Sequence, residues 1–123
     1  VLCDRFLDAT YAYQGGGRGL DVGLIDSLSE LVLKAQGPAL TLLLDVDVAT
    51  GMSRASERAA LDRFEQEQLS FFERVRASYL ARAEAEPERM KRIDAGQALA
   101  AVQRDVASVL SAHIAHCEIH HVD

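Results

Sequence analysis

Cysteine, basic charge and long apolar runs are all scarce in this sequence of 123 residues. Cys3 and Cys117 are isolated from each other, which is typical of a reducing compartment, so we expect a cytoplasmic protein. Lys and Arg number 13 against 19 Asp and Glu, and the net charge of -6 argues against nucleic-acid and membrane-surface partners. No apolar run approaches the roughly 20 residues that a membrane span needs.

A phosphate-binding motif is also missing. The pattern G-x-x-x-x-G-K-[ST] occurs nowhere in the sequence. The glycine run 15–17 could bring backbone N–H groups close to an anion, but it is not that loop. The chain opens on Val1 without a signal-like segment, which fits a processed or truncated chain.

Strand-like and helical stretches alternate along the chain. We predict strands at 1–3, 40–46 and 90–94, and helices after Asp21, after Asp47 or Thr50, over about 65–84 and from about Ala98. This order is typical of an α/β fold, here a three-layer parallel sheet of three strands with flanking helices. We expect the strand at 1–3 to be buried and the nearly all-apolar strand at 40–46 to be covered on both faces.

A sheet of three parallel strands is thin and leaves apolar edges uncovered. No internal repeat or interdomain linker divides the chain. We therefore expect residues 1–123 to form a single incomplete domain, with strands of an absent segment on both sides of the first strand.

Charged and polar side chains follow the first predicted strand, where open α/β sheets build sites for charged ligands. Arg5 can bind phosphate oxygens in pairs, and Asp4 can orient it or hold Mg²⁺ through water. The alternative is a structural ion pair. Thr10 and Gln14 can read the edge of a base and Tyr13 offers a ring beside a sugar, unless they belong to an ordinary loop.

A charge-dense segment at about 53–65 contains Arg54, Arg58 and Arg63. These arginines can belong to a solvated helix face with i,i+4 pairs. The functional alternative is a mobile lid whose arginines stabilise charge on a transferring phosphoryl group.

The tail at 111–123 is rich in histidine and stays unassigned. On a helix, His113, Cys117 and either His120 or His121 would share one face at metal-ligand spacing. The segment is terminal, where fraying is usual, so we assign no metal site and keep a metal-binding tail as an alternative.

Taken together, these motifs resemble bacterial thymidylate kinase. The resemblance covers residues 1 to about 110, and its specificity comes from the joint order and spacing of the motifs. They are Asp4-Arg5-Phe6, Ala12 to Gly19, Leu40 to Val46, Leu61 to Glu67, Phe71-Phe72, Tyr79 and Ile93-Asp94-Ala95.

The resemblance implies a P-loop nucleoside monophosphate kinase fold that transfers the γ-phosphoryl group of ATP to dTMP with Mg²⁺. The product, dTDP, serves dTTP synthesis, and the full-length enzyme is expected to be a homodimer. Arg5 would bind the dTMP phosphate and take part in catalysis, while Asp4 would support it or the magnesium. Tyr13 would lie against the deoxyribose and disfavour a 2′-hydroxyl, with Thr10 and Gln14 near the thymine edge.

On the ATP side, the resemblance implies that Arg54, Arg58 and Arg63 belong to the lid. Arg58 is the first choice for the arginine that stabilises the transferring group, and Arg54 is the second. Ala95 and Gly96 would pass close to the adenine.

The main departure from the family is the missing phosphate-binding loop, which with its Lys and Ser/Thr would hold most of ATP and Mg²⁺. Phosphoryl transfer depends on positioning and charge stabilisation, so we expect the isolated chain to be inactive. The alternative is a non-enzymatic module that binds a nucleotide or a partner through its exposed sheet edge.

Overall fold

The computed structural model describes residues 1–33, 36–56 and 65–120, and the side chains of all of these except 56, 65–67 and 118–120. Helices dominate it, and two short strands lie between them. In chain order, the elements are α1 (Leu7–Thr10), a π-helix (Tyr11–Gly17), α2 (Val22–Leu33), β1 (Thr41–Asp45), α3 (Val48–Ser56), α4 (Glu65–Ala85), β2 (Met90–Asp94) and α5 (Leu99–His120). None of these helices is long and apolar enough to cross a membrane.

The sheet of the described residues consists of β1 and β2, which run parallel with Thr41 opposite Met90 and Asp45 opposite Asp94. The α/β class and these two strands confirm the prediction, but the third strand, at 1–3, is wrong. Cys3 is exposed, as are the two residues before it. A strand needs a neighbour to bond to its backbone, and within the described residues β1 and β2 pair with each other rather than with this segment.

Two aspartates begin the helices that the sequence predicted. The carboxylate of Asp21 accepts a hydrogen bond of 3.0 Å from the N–H of Gly23, which caps α2. Asp47, rather than Thr50, caps α3, because its carboxylate accepts from the N–H of Thr50 at 2.8 Å. The predicted helix over about 65–84 is confirmed as α4, and α5 begins within a residue of the predicted start.

The buried apolar core of the described residues is small and lies between the π-helix, α2, α4 and β2. It consists of Tyr11, Ala12, Ile25, Val75, Met90 and Ile93. The helices contribute only some of their apolar side chains to this core. On α2 the side chain of Ile25 is buried, whereas other apolar side chains are exposed, among them Leu24, Leu28, Leu31 and Val32. Leu44 is also exposed, so the prediction that this strand is covered on both faces was wrong.

The glycine run allows the π-helix to pack tightly against α4. A Cβ on Gly16 would lie 2.5 Å from the Cβ of Ser78 and 3.0 Å from the carbonyl oxygen of Arg74. A Cβ on Gly17 would lie 2.6 Å from the ring of Phe71. The glycine run is helical, and two of its glycines are explained by a helix–helix contact too close for any side chain.

A buried carboxylate lies at the C-terminal end of β1. Asp45 is 6% exposed and accepts hydrogen bonds from Arg76 on α4 at 2.7 and 3.0 Å and from Arg92 on β2 at 2.9 Å. The bonds from Arg76 hold the pKa of this carboxyl below its usual value, against burial, which raises it. Asp45 therefore stays charged and ties α4 to both strands.

The contact at Gly16 predicts a loss of stability on adding a methyl group. We expect Gly16→Ala to lower the free energy of unfolding by about 1–3 kcal/mol, because the Cβ meets a side-chain carbon and a backbone oxygen. The matched control is Gly15→Ala, whose Cβ would meet Ile25 at an ordinary 3.4 Å. Thermal unfolding followed by circular dichroism should show a lower midpoint for the Gly16 variant alone, and equal midpoints would contradict the tight packing.

The ion pairs of Asp45 predict a dependence of stability on pH. A carboxyl whose folded-state pKa is lowered stabilises fully above the unfolded value of about 3.9, and this contribution is lost as pH falls through the folded value. We expect Asp45→Asn to be less stable at pH 7 by about 1–3 kcal/mol. Urea unfolding between pH 5 and pH 2 should show a shallower acid loss in this variant, and parallel profiles would count against the ion pairs.

Candidate functional site

An open cleft of about 340 Å³ lies along one face of α1 and the π-helix. Its lining residues recur at helical spacing and include four of the five residues that the resemblance assigned to dTMP. They are Arg5, Phe6, Ala9, Thr10, Tyr13 and Gln14. The fifth, Asp4, is exposed and directly precedes Arg5, but it is not among the residues that line the cleft.

Arg5 is held over the ring of Tyr13. Its Nη2 donates to the hydroxyl of Tyr13 at 2.5 Å, and its Cζ lies 4.6 Å from the ring centroid. The backbone φ of Arg5 is 61°, in the left-handed region that residues other than glycine rarely adopt. Strained backbone of this kind is concentrated at binding and catalytic sites, where the surrounding structure enforces it.

The ring of Tyr13 is fixed in turn by two aromatic rings of α4. The ring centroids of Phe71 and Tyr79 lie 6.1 and 6.5 Å from it, both in edge-to-face orientation. Burial raises the pKa of the Tyr79 hydroxyl, so it stays protonated at neutral pH. Tyr13 therefore offers a fixed aromatic ring with the guanidinium of Arg5 over its face.

Two amide- and hydroxyl-bearing side chains complete the cleft. Thr10 is exposed at the end of α1, and Gln14 follows one turn later on the π-helix. The side-chain oxygen of Gln14 accepts a hydrogen bond of 3.0 Å from Arg18. This bond orients the Gln14 amide on the exposed side of the cleft.

The opposite face of the same helical segment is anchored by Asp8, which is 4% exposed. Its carboxylate accepts from both terminal nitrogens of Arg89 at 2.8 Å, from Nε of Arg82 at 3.0 Å and from the hydroxyl of Thr41 at 3.0 Å. Burial on its own raises the pKa of this carboxyl, but the bonds from Arg89 and Arg82 outweigh burial and lower it. Asp8 is therefore a charged anchor at neutral pH.

Tyr11 extends this anchored face. The guanidinium of Arg82 stacks on the Tyr11 ring, with its Cζ 3.8 Å from the centroid. The Tyr11 hydroxyl donates to Asp26 on α2, and burial together with this carboxylate raises the pKa of Tyr11. The segment is thus joined to α2 as well as to α4.

A second group of predicted residues meets just after the C-terminal end of β2. Arg54 donates to the carbonyl oxygens of Ala95 at 2.9 Å and Gly96 at 3.4 Å. The structure therefore brings together three of the five residues that the resemblance assigned to ATP. The other two, Arg58 and Arg63, lie outside the described residues, as does most of the predicted lid at 53–65.

The histidine-rich tail continues α5 as far as the structure describes it. Sγ of Cys117 lies 3.7 Å from Nε2 of His113. Within the described residues, no three His, Cys, Asp or Glu side chains come close enough to hold a metal ion. The side chain of His120 and the residue His121 lie outside what is described.

Sequence reasoning missed the anchor of the cleft. Asp8, Arg82 and Arg89 were not predicted as site residues, and nothing local in the sequence joins positions more than 70 residues apart. One signal was available: Asp8 lies three and four residues before Tyr11 and Ala12, so it shares their helical face. An acid on a buried face needs a partner, which predicts a buried ion pair.

Comparison with known proteins gives a consistent result. The family model described as thymidylate kinase matches residues 1–106. The thymidylate kinase of Teredinibacter turnerae is 58% identical over 114 residues, which is 93% of this chain and 56% of that protein. The thymidylate kinase of Alcanivorax borkumensis is 56% identical over 110 residues, covering 89% of this chain and 53% of that protein.

A solved structure is similar as well. The crystal structure of thymidylate kinase from Ehrlichia chaffeensis superposes with a TM-score of 0.66 at 32% identity, covering 89% of this chain and 49% of that one. The chain therefore spans about half the length of the relatives it matches. Because the family match covers most of the sequence, the chain belongs to the thymidylate kinase family.

Proposed function

We propose that this chain is the dTMP-binding and lid-bearing part of a thymidylate kinase, which transfers the γ-phosphoryl group of ATP to dTMP and releases dTDP and ADP. The observation that supports this most is that Arg5, Thr10, Tyr13 and Gln14 line one cleft. Three of them, Arg5, Tyr13 and Gln14, also belong to the family motifs. A cation, a flat ring and two hydrogen-bonding side chains are the groups that a pyrimidine nucleotide requires.

In the proposed complex, the guanidinium of Arg5 binds the phosphate of dTMP and stabilises its charge during transfer. Asp4, the neighbouring carboxylate, supports Arg5 or a magnesium-bound water. The Tyr13 ring lies against the deoxyribose, where it disfavours a 2′-hydroxyl. Thr10 and Gln14 contact the edge of the thymine.

The adenine of ATP is proposed to lie beside Ala95 and Gly96, with the triphosphate extending to the dTMP phosphate, because transfer needs the two phosphates in contact. Arg54 already contacts the carbonyls of Ala95 and Gly96, which fits an arginine beside the adenine and leaves Arg58 as the first choice for the transferring phosphoryl group. Arg63 completes the proposed lid. Mg²⁺ is proposed to be held mainly by the part of the enzyme that carries the phosphate-binding loop, together with the nucleotide phosphates.

The proposal includes a division of labour between this chain and the rest of the enzyme. The sequence contains no phosphate-binding loop, so residues 1–123 form an incomplete domain that does not turn over by itself. The complete enzyme is proposed to be a cytoplasmic homodimer that serves dTTP synthesis.

The test is a chimaera in which residues 1–123 replace the matching C-terminal part of the Teredinibacter turnerae thymidylate kinase. We expect this chimaera to convert dTMP and ATP to dTDP and ADP in a coupled assay. Arg5→Ala should lower its kcat/KM for dTMP by about 10- to 100-fold, because one or two charge-assisted hydrogen bonds to phosphate are lost. The isolated chain should show no turnover.

One control variant and the possible outcomes distinguish the alternatives. Arg104→Ala removes an exposed arginine from α5 and should leave kcat/KM unchanged. A folded chimaera that binds dTMP without turnover would favour a non-enzymatic nucleotide-binding module. A chimaera that neither binds nor phosphorylates dTMP would contradict the proposed function, and turnover by the isolated chain would contradict the division of labour.

A further inference from the structure

We propose that Asp8 is the positioning residue of the dTMP site. Its carboxylate fixes the orientation of α1 and the π-helix, and thereby the four residues that face dTMP in the proposed function, on which this inference rests. The carboxylate is not a catalytic group, because it points away from the cleft and acts through the backbone of the segment it anchors.

The segment formed by α1 and the π-helix has two faces, one buried and one that lines the cleft. Asp8, Tyr11 and Ala12 are buried on one face, with exposures of 4%, 7% and 0%. The residues that line the cleft stand on the other face, at the intervening positions of the same turns. Because a short helical segment moves as one body, a rotation that displaces Asp8 displaces every cleft residue with it.

Three separate parts of the chain donate hydrogen bonds to the carboxylate of Asp8. Arg82 reaches it from α4, Thr41 from β1, and Arg89 from the turn that leads into β2. Arg89 also donates to the Thr41 hydroxyl at 2.9 Å, which closes the network. These bonds therefore fix the segment against the sheet and α4 together, rather than against a single neighbour.

Asp8 lies close in the sequence to the groups that it would position. Asp8 lies three residues after Arg5, whose backbone is held at a φ of 61°, and two before Thr10. Arg82, one of its partners, also stacks on Tyr11 and so extends the anchor into the π-helix that carries Tyr13. A loosened anchor would release the strained backbone of Arg5 first.

The alternative is that Asp8 only stabilises the fold, and Asp45 provides a matched comparison. Both aspartates are buried, at 4% and 6% exposure, and each binds two arginines. Asp45 lies at the C-terminal end of β1 and is not among the residues that line the cleft. A stability effect should therefore appear at both positions, and a positioning effect on dTMP at Asp8 alone.

The experiment compares Asp8→Asn and Asp45→Asn in the chimaera of residues 1–123 with the Teredinibacter turnerae N-terminal part. We expect both variants to unfold at lower temperature. Asp8→Asn should raise KM for dTMP about 10-fold while KM for ATP changes less than about 2-fold, because small misplacements of binding groups are costly. In Asp45→Asn, KM for dTMP should change less than about 2-fold.

A milder variant, Thr41→Val, decides the matter if Asp8→Asn does not fold. It removes one donor to Asp8 with little change of shape, and KM for dTMP should rise about 2- to 3-fold, roughly the loss of one net hydrogen bond. Unchanged dTMP affinity in both variants, or an equal rise at Asp8 and Asp45, would overturn the role of Asp8. An unsubstituted chimaera that fails to bind dTMP would instead overturn the proposed function, and this role with it.

Discussion

The carboxylate of Asp8 between Arg82 and Arg89 is the interaction on which the cleft depends. It joins positions 74 and 81 residues apart, and it fixes a helical segment against a small sheet. A buried carboxylate with two guanidiniums stays charged, since the hydrogen bonds outweigh the cost of burial. Asp45 provides a similar connection at the far end of β1, so each end of the sheet has one aspartate that holds two arginines.

A second constraint acts on the same segment from the side. Gly16 and Gly17 let the π-helix approach α4 more closely than any side chain would allow. That approach brings the rings of Phe71 and Tyr79 against Tyr13, which becomes a fixed wall. The ion pairs set the rotation of the segment and the glycines set its distance from α4, so both are needed for the cleft residues to face one ligand.

The parts of this fold that could be predicted are those with local causes. The strand Met90–Asp94 was predicted with the bounds it has, and α4 within a residue or two, because apolar periodicity and capping act over neighbouring positions. The segment at 1–3 was predicted as a strand and is not one, since a strand depends on a neighbour that its own residues cannot supply. The apolar residues spaced along α2 predicted this helix correctly, but they did not predict which of its side chains are buried.

The candidate site also has parts that could be predicted from the sequence and parts that could not. Arg5, Thr10, Tyr13 and Gln14 could be grouped from the resemblance to the family, and they line one cleft. The ion pairs of Asp8 and the packing of Gly16 could not be predicted, because they depend on contacts between residues far apart in the sequence. Those contacts hold the predicted residues in place.

The most direct test is an NMR titration of the chimaera labelled with ¹⁵N-arginine, with Arg5→Lys used to assign the Arg5 guanidinium. Adding dTMP should shift the Arg5 signal more than the Arg54 signal, because Arg5 lines the cleft whereas Arg54 contacts the carbonyls of Ala95 and Gly96. Thymidine, which lacks the phosphate, should shift the Arg5 signal far less. An Arg5 signal that does not respond to saturating dTMP would contradict the account.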